Sequence, residues 1–424
     1  MSDKKVLVVG SGGREYAFAW KLSNDPEVKQ VYCAPGNGGT GIFSKNIDIN
    51  ISNHQKILDT IREFDIDLTV IGPEDPLAKG IVDFLEENNV RVFGPDKFCS
   101  QLESSKLFAR DVMNEYGIPQ PKYVRCNSKV DALKIKESLG LPLVVKADGL
   151  AAGKGVIICD NDQVFEDALN IMFDSSKFGE ASSSVSIEEC LIGEELSVFA
   201  VCDGDNYRIL NTAQDHKRAF DNDRGPNTGG MGAYSPTPLS THKILSKTED
   251  RIIKPILNAM KEKGHPYKGF LYIGIMIVKG DPYVIEFNVR MGDPETQVVI
   301  PLLESSLFSL LDSCLTRKLP FCDLKVSDKI AVTVVLAAQG YPDSYKKGME
   351  ITGLNTLDSE LVFHAGTRSS ENQILTSGGR VLNVVGFGDD LKSAIQNAYD
   401  IADKISFDGK FFRKDIGQKG LSYK

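Results

Sequence analysis

Three polar residues whose side chains could act on a phosphate group alternate along the segment 283–290. The segment reads YVIEFNVR, with Glu286, Asn288 and Arg290 at every second position. Because successive side chains of a strand point to opposite faces, these three should share one face. The apolar residues between them should be buried on the other face: Tyr283, Ile285, Phe287 and Val289.

This polar face offers ligands for a divalent metal ion. The carboxylate of Glu286 and the amide oxygen of Asn288 are the hard oxygen ligands that Mg²⁺, or Mn²⁺ in its place, prefers. The guanidinium of Arg290 would clamp a phosphoryl group beside them. The alternative is the solvated side of an antiparallel sheet. The turn that follows, MGDPE from Met291, adds two more carboxylates, and we therefore favour a metal site.

A glycine-rich loop, DGLAAGKG, follows Lys146 at the end of an apolar stretch. A Walker A loop has four residues between its glycines and a Ser or Thr after its lysine. Here three residues separate Gly149 from Gly153, and Gly155 follows the lysine. The loop instead predicts a hairpin flap that folds over a triphosphate, with Lys146 directed at the phosphates. The alternative is a mobile surface hairpin with a solvated lysine.

The first glycine loop along the chain, GSGGRE from Gly10, lies between an apolar strand and a helix; the loop from Gly149 to Gly155 is the second. Backbone N–H groups at a helix start attract phosphate, and glycine permits close approach. Glu15 replaces the third glycine of the dinucleotide fingerprint, and no acidic residue ends the next strand, so a nicotinamide cofactor is disfavoured. Arg14 favours a small phosphate ester, whereas the alternative is a tight turn without a ligand.

The elements that carry these loops alternate between strand and helix over the first hundred residues. Strands are expected at 6–9, around Val31 and at 68–71, and helices at 14–22 and 54–64, the latter capped by Asn53. This order predicts a doubly wound parallel α/β sheet. Further helices are expected near 105–116, 128–139, 240–263 and 303–317, and strands at 143–146 and 156–159.

The chain of 424 residues is too long for one core. Pro119 and Pro121 suggest a boundary, and we expect four units: 1–121, 122–188, 189–327 and 328–424. The last should open with the buried strand IAVTVVLAA from Ile330 and close with an amphipathic helix. A long segment, 215–236, is rich in Gly and Pro; it predicts a ligand loop without regular structure.

Composition excludes several classes of protein. The net charge of −9 disfavours nucleic-acid binding, and no apolar run reaches the roughly 20 residues of a membrane span. The eight cysteines are scattered singly, which disfavours a zinc site and indicates free thiols in a reducing compartment. We expect a cytoplasmic enzyme without a signal peptide, acting on small molecules as a monomer or weak homodimer.

Taken together, the segments resemble the glycinamide-ribonucleotide synthetase (phosphoribosylamine–glycine ligase) family of ATP-grasp enzymes. The matching segments run almost from end to end: GSGGRE at Gly10, PGNGGT at Pro35, GPEDPLAKG at Gly72, KADGLAAGKGV at Lys146, EECLIGEELS at Glu188, QDHKR at Gln214, GPNTGGMGAYSP at Gly225, EFNVRMGDPETQ at Glu286, FHAGT at Phe363, TSGGRVL at Thr376 and RKDIG at Arg413. The resemblance implies an N-terminal substrate domain, an ATP-grasp core made of the two middle units, and a small C-terminal α/β domain.

The resemblance also implies roles for individual residues. ATP would lie between the two ATP-grasp units, with glycine and 5-phosphoribosylamine beside it. The implied ATP-binding residues are Lys106, Lys146, Gly149, Gly153, Gly155, Glu188, Glu189 and Leu191 (the last three at the adenine) and Glu195 at the ribose. The implied substrate-binding residues are Gly12, Gly13, Arg14, Asn37, Glu74, Asp75, Arg290, Gly292 and Asp293. The implied metal ligands are Glu286 and Asn288, and the implied catalytic residues are Arg290, Lys146 and Asp215.

The implied reaction begins with attack of the glycine carboxylate on the γ-phosphate of ATP, giving glycyl phosphate and ADP. The amine of 5-phosphoribosylamine then attacks the glycyl carbonyl, which completes a step of purine synthesis. Three rival functions are a different ATP-grasp ligase, a nucleotide-binding regulatory protein and a dehydrogenase. The FHAGT and TSGGRVL segments disfavour a different ATP-grasp ligase. The intact Lys146, Glu286, Asn288 and Arg290 disfavour a regulatory protein with an inactive site. The lack of an acidic residue at the end of the second strand disfavours a dehydrogenase.

Overall fold

The structure is a computed structural model that describes residues 3–150, 155–173, 184–357 and 362–423. Within these residues, the α-helices are α1 (Gly13–Ser23), α2 (His54–Phe64), α3 (Glu74–Ala78), α4 (Ile81–Glu87), α5 (Gln101–Ser104), α6 (Lys106–Glu115), α7 (Lys129–Leu139), α8 (Asp162–Phe173), α9 (His242–Thr248), α10 (Lys254–Glu262), α11 (Thr296–Val299), α12 (Leu307–Leu315), α13 (Leu391–Lys404) and α14 (Gln418–Ser422).

The strands of the same residues are β1 (Lys4–Gly10), β2 (Val28–Pro35), β3 (Lys45–Asn46), β4 (Leu68–Ile71), β5 (Val92–Phe93), β6 (Tyr123–Cys126), β7 (Leu143–Ala147), β8 (Val156–Cys159), β9 (Val185–Glu189), β10 (Glu194–Asp203), β11 (Tyr207–Ile209), β12 (Gln214–Asp215), β13 (Arg218–Phe220), β14 (Arg224–Asn227), β15 (Gly232–Ser235), β16 (Lys268–Val278), β17 (Asp281–Asn288), β18 (Ile330–Ala338), β19 (Val362–His364), β20 (Thr367–Ser370), β21 (Gln373–Thr376), β22 (Arg380–Gly388) and β23 (Lys410–Phe411).

The N-terminal sheet confirms the predicted parallel α/β arrangement. Its strand order is β3-β2-β1-β4-β5, and every neighbouring pair is parallel. The order reverses at β1, so the carboxyl ends of β1 and β4 form the crevice where such sheets bind ligands. Asn53 caps α2 by accepting a hydrogen bond from the backbone N–H of Lys56, as the sequence predicts.

Two antiparallel sheets follow, and the expected strands at 143–146 and 156–159 lie in the first of them. The first has the order β6-β9-β7-β8 and packs against α7 and α8 through a separate apolar cluster. The second has the order β11-β10-β16-β17, and its long strands β10 and β16 pair from Glu194 to Asp203. Strand β7, which leads into the glycine-rich loop, and strand β17, which carries Glu286 and Asn288, therefore belong to different sheets.

The predicted strict alternation of buried and polar side chains in 283–290 is wrong for residues 283–285. The pairing of β17 with β16 shifts register between Gly274 and Ile275, which places a β-bulge at Ile285. Val284 is therefore buried, while Tyr283 and Ile285 are only partly buried. A bulge adds one residue to a strand and reverses the faces of the side chains on one side of it.

The expectation of a long irregular loop at 215–236 is also wrong. Much of this segment is the hairpin β13–β14 and the strands β12 and β15. Strands β12 and β15 extend the C-terminal sheet, whose order is β12-β15-β18-β22-β19. Its central strand β18 and the helix α13 confirm the expected elements of the last unit, and the buried face of α13 carries Leu391, Ala394, Ile395, Ala398 and Ile401. The four-unit division stays a prediction.

Two predicted helices are shorter or more complex in the structure. The segment 240–263 forms α9, a π-helical turn at Glu249–Ile253, and α10. Helix α12 begins at Leu307 after its N-cap Ser306, so Leu303 precedes the helix and pairs with Val326 instead.

The cysteines in the described residues are free thiols. Among those residues, none of the helices combines the length and the apolar character needed to cross a membrane.

Candidate active site

One cavity of about 780 Å³ collects most of the predicted site residues. Its wall is built from loops of the N-terminal sheet, the strand ends of both antiparallel sheets and two segments of the C-terminal sheet. The predicted residues that line it are Gly12, Arg14, Glu74, Lys106, Lys146, Gly149, Gly155, Glu188, Glu189, Leu191, Glu195, Asp215, Glu286, Asn288, Arg290, Gly292 and Asp293. Gly153 lies outside the described residues.

Three predicted substrate residues do not line this cavity. Gly13 is packed closely instead, because a Cβ there would lie 2.3 Å from the side-chain nitrogen of Gln297. The amide of Asn37 donates hydrogen bonds to the carbonyl groups of Ser11 (3.0 Å) and His364 (2.9 Å) and so joins the first and last units. Asp75 is half-exposed and pairs with Lys79 at 2.8 Å.

The first glycine loop encloses a carboxylate that belongs to the protein itself. Glu15 accepts a hydrogen bond from the N–H of Gly12 at 2.7 Å and another from the Nε of Arg14 at 2.6 Å. A Cβ at Gly10 or at Gly72 would lie within 2.4 Å of the Glu15 side chain. These glycines are therefore required by the close approach of Glu15, whether or not a phosphate also binds here.

A chain of alternating charges connects this loop to Arg290. The guanidinium of Arg14 lies 3.9 Å from Glu74, which lies 3.2 Å from the Nε of Arg290. The Nη2 of Arg290 in turn donates to Glu103 at 2.6 Å. Burial alone would raise the pKa of Glu74, but the charges of Arg290 and Arg14 lower that pKa to about 2. Both arginines are thus held in place by carboxylates.

Asp293 also binds the start of α1. Its carboxylate accepts a hydrogen bond from the N–H of Arg14 at 3.0 Å and pairs with Arg380 at 3.1 Å. Arg380 also donates to the carbonyl group of Gly229 at 2.6 Å. The predicted phosphate loop, the turn after β17 and the Gly-rich segment around Gly229 are therefore joined through one carboxylate and one arginine of β22.

Lys146 is held in a buried ion triad. Its ammonium lies 2.8 Å from Glu188, and Glu188 also receives two hydrogen bonds from Arg110, at 2.7 and 2.8 Å. Lys146 and Arg110 both donate to the carbonyl group of Ile285, at 3.0 and 2.9 Å. Burial would raise the pKa of Glu188, but Lys146 and Arg110 lower it to about 2. The carboxylate predicted to contact adenine is thus engaged with two cations.

Lys217 connects the predicted metal and ribose residues. Its ammonium lies 2.9 Å from Glu195 and 3.6 Å from Glu286. Burial would raise the pKa of Glu286, but Lys217, Lys106 and Lys146 lower it to about 2, which keeps this carboxylate charged. Burial raises the pKa of Asp215 well above its usual range despite the charge of Lys217.

The second glycine loop begins beside the start of α6. Asp148 accepts hydrogen bonds from the hydroxyl of Ser105 at 3.0 Å and from the N–H of Leu107 at 3.1 Å. These bonds bring the base of the loop next to Lys106, whose side chain lines the cavity. Lys106 and Lys146, the two lysines that the family resemblance assigns to phosphate, therefore both line the cavity.

Sequence reasoning missed several charged residues that the structure brings into the cavity wall: Glu15, Glu103, Lys217, Glu295 and Arg380. Lys217 and Arg380 belong to the motif segments QDHKR and TSGGRVL, so the motifs themselves were the available signal. Glu295 had a signal too, because it is one of the two carboxylates of the turn after β17; it is 4% exposed and accepts a hydrogen bond from Ser197. Glu103 has no such signal, because only its distant partner Arg290 identifies it.

Comparisons with known proteins cover the whole chain. Sequence models of phosphoribosylglycinamide synthetase match it in three parts: the N domain over residues 4–103, the ATP-grasp (A) domain over 104–296 and the C domain over 331–419. A phosphoribosylamine–glycine ligase of Neisseria meningitidis serogroup B is 46% identical over 421 residues, which cover 99% of this chain and 100% of that protein.

Solved structures agree with the sequence matches. The crystal structure of a phosphoribosylamine–glycine ligase from Thermotoga maritima has a TM-score of 0.85 at 36% identity and covers 97% of this chain and 100% of that one. The biotin carboxylase domain of 2-oxoglutarate carboxylase from Hydrogenobacter thermophilus, solved with magnesium ADP and bicarbonate, has a TM-score of 0.70 at 16% identity, covering 97% and 92%. The latter likeness concerns the fold alone.

Proposed function

The chain belongs to the phosphoribosylglycinamide synthetase family of ATP-grasp ligases, and from this premise we propose how its cleft joins glycine to 5-phosphoribosylamine. The reaction is an ATP-dependent ligation in purine biosynthesis. The observation that carries the proposal is the convergence of Lys146, Lys217, Glu286 and Arg290 on one cavity. Such a set of cations and carboxylates suits phosphoryl transfer, which depends on positioning and charge neutralisation.

ATP binds with its phosphates between Lys106 and Lys146 and its ribose at Glu195. Lys146 needs no rearrangement to face the phosphates, because Glu188 and the carbonyl group of Ile285 already fix its ammonium. Preorganised charges of this kind cost no reorganisation during the reaction. Glu189 and Leu191, both in the cavity wall, contact the adenine, whereas the carboxylate of Glu188 holds the ammonium of Lys146 in position.

The residues of β17 fit a divalent metal ion, Mg²⁺ or Mn²⁺. Glu286 is charged at neutral pH, since its pKa is about 2, and the amide oxygen of Asn288 accepts one long hydrogen bond, at 3.3 Å from Arg290. Among the residues that the structure describes, there is no cluster of three or more His, Cys, Asp or Glu side chains able to hold a metal. Two protein ligands suit Mg²⁺, which commonly takes its remaining ligands from phosphates and water. When bound, the ion neutralises charge on the phosphates.

The glycine carboxylate attacks the γ-phosphorus, and ADP leaves. The resulting glycyl phosphate carries an activated carbonyl group. Arg290 has five N–H donors, of which four are used by Glu74, Glu103, Asn288 and the carbonyl group of Met291. The remaining Nη1–H has no partner among the described residues, and we assign it to the phosphoryl oxygens as charge moves onto them.

The amine of 5-phosphoribosylamine then attacks the glycyl carbonyl carbon, and phosphate leaves. We assign the proton that the amine loses to the carboxylate of Asp215, which lines the cavity and whose pKa is raised by burial. Gly12 and Arg14 line the cavity at the start of α1, and Asp293, which also lines it, binds the N–H of Arg14. We assign the sugar phosphate to that part of the cavity.

The test uses glycine labelled with ¹⁸O in its carboxylate. An acyl-phosphate mechanism transfers one labelled oxygen to inorganic phosphate in each turnover and releases ADP. An adenylating mechanism would place the label in AMP. Label in AMP, or unlabelled phosphate beside normal product, would contradict the proposed intermediate. Serine and alanine serve as control acids, and neither should support ADP release at the rate of glycine.

A further inference from the structure

The segment 413–423 runs along the segment 214–223, which carries Asp215 and Lys217 into the cavity. Five groups of hydrogen bonds or ion pairs join the two segments. Arg413 donates to the carbonyl group of Arg218 (3.1 Å) and to Asp223 (2.9 Å); the N–H of Lys414 donates to Asp221 (2.8 Å); the N–H of Asn222 donates to Asp415 (2.8 Å); the N–H of Gly417 donates to His216 (3.3 Å); and Lys419 pairs with Asp223 (2.9 Å).

These contacts are built into the core and are not surface ion pairs alone. Arg413 is 2% exposed and His216 is 3% exposed. Gly232 lies on β15, the strand that pairs with β12. A Cβ at Gly232 would lie 2.8 Å from the side chain of Ile416. Removing one partner of a buried charge leaves the other uncompensated, so the path of segment 214–223 depends on segment 413–423.

Tyr423 ends this contact at the nucleotide side of the cavity. Its hydroxyl donates to the carboxylate of Glu194 at 2.5 Å and accepts a hydrogen bond from the amide of Gln214 at 3.3 Å. The same amide of Gln214 donates to the carbonyl group of Glu195 at 2.9 Å. Tyr423 thereby joins the start of β10 to β12, and its side chain is not part of the cavity wall, whereas Glu194, Glu195 and Gln214 are.

We propose that Tyr423 is a positioning residue for nucleotide binding, and that segment 413–423 holds Lys217 in its place between Glu195 and Glu286. The proposal rests on the proposed function, which assigns this wall to ATP. Tyr423 itself lies beyond residues 331–419, which the family's C domain matches. The hydroxyl acts through Glu194 and Gln214, so its loss should loosen the ribose side of the site and leave the binding of glycine unchanged.

The test is Tyr423→Phe, which removes only the hydroxyl. Hydrogen bonds to a charged group are stronger than those between neutral groups, so we expect the dissociation constant of ADP to rise about five- to tenfold. The KM for ATP should rise by a similar factor, while the KM for glycine stays within about twofold. Isothermal titration of the full chain with ADP and magnesium measures the first quantity without any turnover.

Tyr116→Phe is the matched control. Tyr116 also donates from its hydroxyl to a glutamate, Glu262, at 2.7 Å, but neither residue lines the cavity. This control should leave the ADP affinity and both KM values unchanged. An unchanged ADP affinity in Tyr423→Phe would overturn the proposal. So would an equal rise in the KM values for ATP and glycine, or a loss of ADP affinity that merely follows a lower melting temperature.

Failure of the proposed function would look different. Wild-type protein that binds ADP but forms none from ATP with glycine and 5-phosphoribosylamine would contradict the ligase, yet the effect of Tyr423→Phe on ADP affinity would still decide the positioning role. Wild-type protein that does not bind ADP would overturn both.

Discussion

Replacing Glu188 by glutamine removes the only negative charge of the buried triad with Lys146 and Arg110. Glu188 is 1% exposed, and both cations lie within hydrogen-bonding distance of it. Its pKa is about 2 in the folded protein against an ordinary value of 4.5, which corresponds to about 3 kcal/mol because one pKa unit is about 1.4 kcal/mol. Breaking a buried ion pair from one side costs roughly 3–5 kcal/mol in other proteins, which agrees.

The loss should appear as a lower melting temperature. With roughly 2 cal/mol/K of unfolding entropy per residue, 424 residues unfolding together give about 0.9 kcal/mol/K. About 3 kcal/mol therefore lowers Tm by about 3–4 °C at pH 7, measured by calorimetry. The control is Glu87→Gln, since the side chain of Glu87 is exposed on α4; its Tm should match the wild type.

The same variant has a pH signature whose sign follows from the depressed pKa. A carboxylate with a lowered folded-state pKa stabilises the fold above its unfolded pKa, and this contribution is lost as pH falls toward the folded pKa. The difference between wild type and Glu188→Gln should therefore shrink from about 3 kcal/mol at pH 5 to roughly 1.4 kcal/mol at pH 3. A difference under about 1 kcal/mol at pH 7, or one that grows in acid, would refute the role given to this triad.

Two further variants test the division of labour in the cleft. Glu286→Gln should keep the fold and lose at least about a hundredfold in kcat at saturating magnesium, because neutralisation of phosphate charge is worth several kcal/mol; turnover like that of wild type would show that the metal site is misplaced. Arg14→Ala should raise the KM for 5-phosphoribosylamine roughly tenfold and leave the KM for ATP nearly unchanged; a selective effect on ATP, seen in ADP-release assays with each substrate varied, would reverse the roles of the two glycine loops.

Local signals determined most of the secondary structure. The capped helix α2 and the strands β4, β8 and β18 have the bounds that the sequence predicts, because hydrophobic periodicity, caps and glycine act over a few residues. The motif segments were likewise sufficient to identify the family and to locate both glycine loops and the strand of the proposed metal ligands.

The tertiary structure alone decided which side chains meet. The bulge at Ile285 depends on pairing with β16. Strand β15 pairs with β18 of the C-terminal sheet and β12 pairs with β15, while β13 and β14 pair with each other. Gly/Pro-rich sequence gives no sign of that pairing. Hydrogen bonds from a distant strand can impose order where local propensity is weak.

The electrostatics of the site were decided in the same way. Glu15 accepts a hydrogen bond from Gly12 of the first glycine loop. Arg110 and Glu188, which are 78 residues apart, form the buried triad with Lys146. Arg413 binds Asp223 from 190 residues away. The sequence determined that these residues are charged. Whether a charge faces a ligand or a protein partner depends on burial and on contacts between distant segments, and only the folded chain provides those.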